Sequence, residues 1–152
     1  MAKKIYWSSE NVEMPTLDFP LLGKWIRKVA ESYGKTCGEL AYLFCNDDKI
    51  ISANREFLNH DYYTDIITFD YSTGKRISGD MLISLDTVRT NAIQFGQPQE
   101  RELLRVIIHG ILHLCGINDK AEGEREIMED CENRALTLLS QLQNEKREED
   151  EI

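Results

Sequence analysis

The chain has 152 residues, with 18 Lys and Arg against 27 Asp and Glu, for a formal net charge of −9. Apolar residues make up 41% and charged residues 30%. That mix excludes a disordered chain, a collagen and a disulfide-stapled miniature, and one domain of this length buries a core without a metal or crosslink. The acidic balance also excludes a generic nucleic-acid coat, because phosphate binding is dominated by Lys and Arg. Any nucleic-acid partner must meet a local basic strip. No run approaches the ~18 apolar residues of a membrane span, and Met1 to Ser8 has no apolar signal core. A cytoplasmic protein with no membrane partner is expected. Cys37, Cys45, Cys115 and Cys131 form no C-x-x-C pair and read as free thiols.

In chain order, Asp18 to Tyr33 is an amphipathic helix capped by Asp18, with Pro20 at an early position and Leu21, Leu22, Trp25, Ile26 and Val29 at helical spacing. Glu39 to Cys45 is a strand that Asn46-Asp47-Asp48 ends. Ser52 opens a short helix from Ala53 to Asn59. Asp65 to Tyr71 is β-branched and aromatic, hence a strand, and a further strand follows from about Gly79 to Leu85. Asp86 or Thr87 caps a helix to Phe95, which Gly96 stops. Pro98 begins a long helix that is apolar nearly all round and so lies at the centre of the fold. The last helix spans Glu124 to Gln143. The expected fold is α+β: a small, roughly four-stranded mixed sheet against several helices. Residues 1–143 read as one domain and 144–152 as a frayed acidic tail.

The informative stretch is His109-Gly-Ile-Leu-His113-Leu-Cys-Gly116-Ile-Asn-Asp119. His109 and His113 lie four apart on the long helix, so both imidazoles project from one face, one turn apart. That spacing suits two ligands of one metal ion. Gly116 permits the left-handed turn that lets the chain fold back, bringing Asp119 in as a third ligand. Three protein ligands with an open fourth position are the pattern of catalytic zinc. Two imidazoles and one carboxylate would leave a divalent ion with one positive charge. Cys115 is a rival third ligand, but it points to another helix face.

The run His109-Gly110-x-Leu112-His113-Leu114-x-Gly116 resembles the signature of the YbeY-type endoribonucleases, the ribosomal-RNA maturation factors. Asn54 with Phe57, then Asp61, Thr64, Asp65, Ile66 and Phe69, and the run Gly79-Asp80-Met81, are similar to further family segments. The likeness reaches from about residue 38 to residue 140. It implies a single-strand-specific, zinc-dependent endoribonuclease in ribosomal-RNA maturation and ribosome quality control. One zinc ion would sit on His109, His113 and Asp119. The partners implied are single-stranded or ribosomal RNA, the ribosome or assembly factors, and no DNA. Two positions depart from the family pattern: Asp119 stands where a third histidine is usual, and Leu58 where an arginine is usual, with Arg55 one turn earlier.

No general base is evident. Asp65 and Asp80 are the nearest candidates, with Asp80 as an acceptor behind a ligand histidine. His60 reads as a loop histidine. Lys24, Arg27 and Lys28, or Arg101 and Arg105, are candidates for a phosphate track, although solvated helix faces look the same in sequence. Two other readings stay open. One is a zincin-like metallopeptidase, which the spacing favours but Gly110 opposes, since that fold needs Glu there. The other is a non-catalytic ribosome-assembly factor with a structural metal.

Overall fold

The computed structural model describes residues 5–58 and 64–151. The expected helix end at Asn59, the Leu58 side chain, His60 and Asp61 lie outside the described residues. The elements are β1 (Ile5–Ser9), α1 (Phe19–Ser32), β2 (Thr36–Cys45), α2 (Asp47–Ala53) running into a π-helical turn at Asn54–Leu58, β3 (Ile66–Asp70), β4 (Arg76–Ser84), α3 (Leu85–Gln94), α4 (Gln99–Leu114) and α5 (Glu124–Asp150). The strands form one mixed sheet in the order β1-β2-β4-β3. β1 and β4 run parallel to β2, and β3 pairs antiparallel with β4. The α+β fold with a four-stranded mixed sheet is as expected.

Alternation along β2 builds the core. Leu40, Tyr42 and Phe44 are fully buried on the helical side, while Ala41 and Leu43 face the other way and are half-buried. Helix α4 is the hub, packing against α1, α3, α5, β3 and β4. Its Val106, Ile107, Ile108, Ile111 and Leu112 are buried. Two buried hydrogen bonds fix the helices to their neighbours. The Tyr42 hydroxyl donates to the Ile107 carbonyl at 2.8 Å, and Trp25 Nε1 donates to the Ala135 carbonyl at 2.7 Å. Gly110 sits where α4 meets the sheet. A Cβ there would lie 3.0 Å from both Ile66 Cδ1 and Met81 Sδ.

Several boundaries differ from the sequence reading, each for a local reason. β1 was not foreseen: five residues with an irregular apolar pattern gain their strand identity only by pairing with β2. Asn46-Asp47-Asp48 does not merely end β2 but starts α2, since the Asn46 side chain accepts from the Lys49 N–H at 3.0 Å as an N-cap. The expected helix at Ala53–Asn59 therefore begins earlier and closes as a π turn. Ser84, not Asp86 or Thr87, caps α3, and its hydroxyl also donates to Asp47 Oδ1 at 2.6 Å. Helix α5 runs as far as Asp150. Glu, Lys and Arg are good helix formers, and Lys146 forms an ion pair with Asp18, the cap of α1. All four cysteines are free thiols.

The Tyr42 hydroxyl ties the hub helix to the sheet between two fully enclosed groups. Removing it in Tyr42→Phe leaves the shape unchanged and costs about 1 kcal/mol, the usual net worth of such a bond. Urea denaturation should show a lower midpoint with an unchanged slope.

Candidate metal centre

The last two turns of α4 carry His109 and His113. Their rings sit 4.6 Å apart, centroid to centroid, nearly perpendicular to one another. The helix then closes on itself: the Gly116 and Ile117 N–H groups donate to the His113 and Leu112 carbonyls, both at 3.0 Å. Gly116 takes a φ of +97°, in the left-handed region that side-chain-bearing residues avoid. That reversal returns the chain to the histidines. Asp119 Oδ2 comes to 3.3 Å from His109 Nε2 and 3.5 Å from His113 Nε2.

One donor atom from each of His109, His113 and Asp119 lies within 4.8 Å of the other two, a spread that fits a single metal ion. The side chains are 20%, 30% and 25% exposed, so the cluster is anchored on the protein side and open on the other. Among the described residues no other group of three such donors converges. Cys115, the rival ligand, is not in the cluster. Burial pushes its thiol up to about 11, with Cys37 adding to the shift and Lys35 opposing it, so it is a neutral thiol at ordinary pH.

A residue that the sequence reading missed stands behind His109. Glu132 of α5 places Oε2 2.7 Å from His109 Nδ1, and its Oε1 accepts from Arg105 at 2.8 Å. The second guanidinium nitrogen of Arg105 donates to Asn133 Oδ1 at 2.8 Å. A signal for Glu132 was present, because it falls on the buried stripe of Met128, Cys131, Ala135, Leu136 and Leu139, where an unsupported carboxylate is costly. Glu102 carries the same signal on α4: it is buried, and burial raises its pKa, with Asp65 adding to the effect.

The electrostatics follow from this packing. Burial acts to lower the His109 pKa, but the Glu132 hydrogen bond and charge, with Asp65 and Asp119, outweigh it and the net shift is upward. His113 goes the other way: burial and the neighbouring His109 lower it, and Asp119 only partly opposes them. Burial raises the Asp65 carboxyl against the pull of His109.

Two hollows adjoin the cluster. One, of about 610 Å³, runs between α4 and α5 and includes Arg101, Glu102, Arg105 and Arg125 in its lining. The other, of about 500 Å³, follows β3 and includes Asn54, Thr64, Thr68, Asn118 and Lys120. Asp65, His109 and Asp119 line both, so the hollows meet at the cluster. The remaining expectations divide. Asp65 is at the site. Asp80 is not: its neighbour Met81 faces α4, so the pleat turns Asp80 to the opposite face of the sheet, beside Tyr6, Ala41 and Tyr71. It cannot brace a ligand histidine. Lys24, Arg27 and Lys28 line neither hollow.

Comparison with known proteins agrees with the fold. The family described as Endoribonuclease YbeY matches residues 9–140. The endoribonuclease YbeY of Phocaeicola vulgatus is 65% identical over 136 residues, covering 90% of this chain and 99% of the relative. That of Bacteroides thetaiotaomicron is 61% identical over 134 residues, covering 88% and 98%. That of Azobacteroides pseudotrichonymphae is 43% identical over 135 residues, covering 89% and 97%. The solution structure of a Thermotoga maritima protein shares the fold, with a TM-score of 0.62 and 24% identity over 96% of this chain and 93% of that one. The chain belongs to the YbeY family of endoribonucleases.

Proposed function

We propose that this chain is a zinc-dependent endoribonuclease that cleaves single-stranded RNA during ribosomal-RNA maturation, holding one ion on His109, His113 and Asp119. The convergence of these three donors at the meeting point of two hollows carries the reading. The donor set fits zinc, being two imidazoles and a carboxylate with one open side. A bound ion would supply Lewis acidity toward a phosphoryl oxygen and acidify water.

The chain's own residues account for the rest. A polymer laid through both hollows passes over the cluster and extends beyond it on either side, so cleavage needs no chain end. Arg101 and Arg125 offer phosphate contacts in the α4/α5 hollow, and Lys120 offers one beside β3. Asp65 lies between the hollows, placed to accept a proton. The family alignment supports RNA as the substrate; the ribosome and its assembly factors follow from maturation as the setting. No helix among the described residues is long and apolar enough to cross a membrane, in keeping with work in the cytoplasm. Residues 1–143 are taken as the hydrolase domain. A peptidase is disfavoured by position 110, which faces Ile66 and Met81. A carboxylate there would be buried against the sheet and not turned to the hollow.

Zinc should be near-stoichiometric in the wild type by elemental mass spectrometry, much reduced in Asp119→Ala and unchanged in Cys115→Ser. Equal zinc in wild type and Asp119→Ala would remove Asp119 as the third ligand. The loaded protein should cut unstructured RNA internally and leave casein intact, and His113→Ala should abolish the cutting. Cleavage of precursor RNA that survives His113→Ala would sink the mechanism. For Arg101→Glu, the slope of log affinity against log salt for single-stranded RNA should flatten by roughly 0.7 or more, the share of at least one phosphate contact.

A further inference from the structure

The two histidines are supported unequally. His113 has its own helix end behind it, through the backbone of Ile117. His109 is supported from another helix, by a carboxylate whose side chain is only 8% exposed. The two oxygens of Glu132 have separate partners one turn apart on α4: Oε1 takes the Arg105 guanidinium at 2.8 Å, and Oε2 takes His109 Nδ1 at 2.7 Å. An ionised carboxylate only accepts hydrogen bonds, so this contact favours the proton on Nδ1. The lone pair then falls on Nε2, the atom that faces Asp119 at 3.3 Å. Arg105 is committed to this arrangement through both terminal nitrogens, one on Glu132 and the other on Asn133.

We infer that Glu132, pinned by Arg105, is the positioning residue that sets the tautomer and ring angle of His109 for the metal ion, and that Arg105 serves this support and not an RNA phosphate. The inference rests on the metal-site reading above. It makes α5 part of the metal centre although it contributes no ligand. It also reassigns Arg105, which sequence alone offers as a phosphate contact.

The test uses the whole chain, stripped of metal and titrated with zinc against a chromogenic chelator. Glu132→Gln, nearly the same shape, should lower zinc affinity by about 10–100-fold, the usual effect of losing such a support. Arg105→Met should lower it by a smaller factor, and Arg105→Lys, which keeps the charge without the fork, should recover part of the loss. Long-range proton–nitrogen NMR of the metal-free protein at pH 9 reads the tautomer directly. His109 should carry its proton on Nδ1 in the wild type and lose that preference in Glu132→Gln, while the backbone amide spectrum elsewhere stays superimposable. RNA binding by Arg105→Met should keep the wild-type salt slope.

Wild-type zinc affinity in both Glu132→Gln and Arg105→Met would overturn the inference. So would a wild-type His109 protonated on Nε2. A salt slope flattened by roughly 0.7 in Arg105→Met would restore Arg105 to phosphate binding. Wild-type protein that takes up no zinc would overturn the metal reading and this inference together, and the first titration shows it before any variant is compared.

Discussion

At Gly110 the backbone of α4 lies so near β3 and β4 that one methyl group would come within 3.0 Å of Ile66 and Met81. The rest of the molecule is arranged around that approach. Because α4 touches the sheet there and three other helices elsewhere, most of its circumference must be apolar. One narrow stripe escapes, and it carries Glu102, Arg105, His109 and His113, spaced three and four apart. Chemistry is confined to that stripe by packing. The histidines inherit the rigidity of the most enclosed helix in the fold, and Tyr42 anchors that helix at Ile107, between Arg105 and His109.

Polar groups so close to a core need partners, and the structure supplies them from three directions. Asp119 arrives from the turn after α4, Glu132 from α5, and Asp65 from the entry to β3. Each lies near His109, which explains why its pKa rises while that of His113 falls. The acidic character of the whole chain is not at odds with an anionic substrate. Glu132 is paired with Arg105 and accepts from His109 Nδ1, and Asp119 turns toward the two imidazoles, so part of the negative charge near the cluster is already engaged.

Legibility in the sequence followed the distance over which each contact acts. His109, His113, Gly116 and Asp119 were readable because helix geometry and a single left-handed glycine connect them locally. α1 was readable for the same reason, through Asp18 and its apolar spacing. Glu132 was not singled out, since its meaning depends on how α5 crosses α4, and no local period encodes a crossing. Asp80 was misplaced because the face a strand residue presents is set by register against neighbouring strands. β1 escaped because it exists only as a partner of β2. Asn46 and Ser84 were misjudged as a terminator and a strand residue, where each proves to be the cap of the following helix.

The three donors do not share one kind of support. His109 and His113 are fixed to a buried helix, whereas Asp119 belongs to the connecting stretch between α4 and α5. For the ion proposed above, the histidine pair would fix where it lodges, and Asp119 would reach it from a stretch with no helix or strand of its own. The proposed ligand set is thus drawn from two differently built parts of the chain. Substitutions between Gly116 and Gly123 would act on the third donor while leaving the histidine pair where the buried helix holds it.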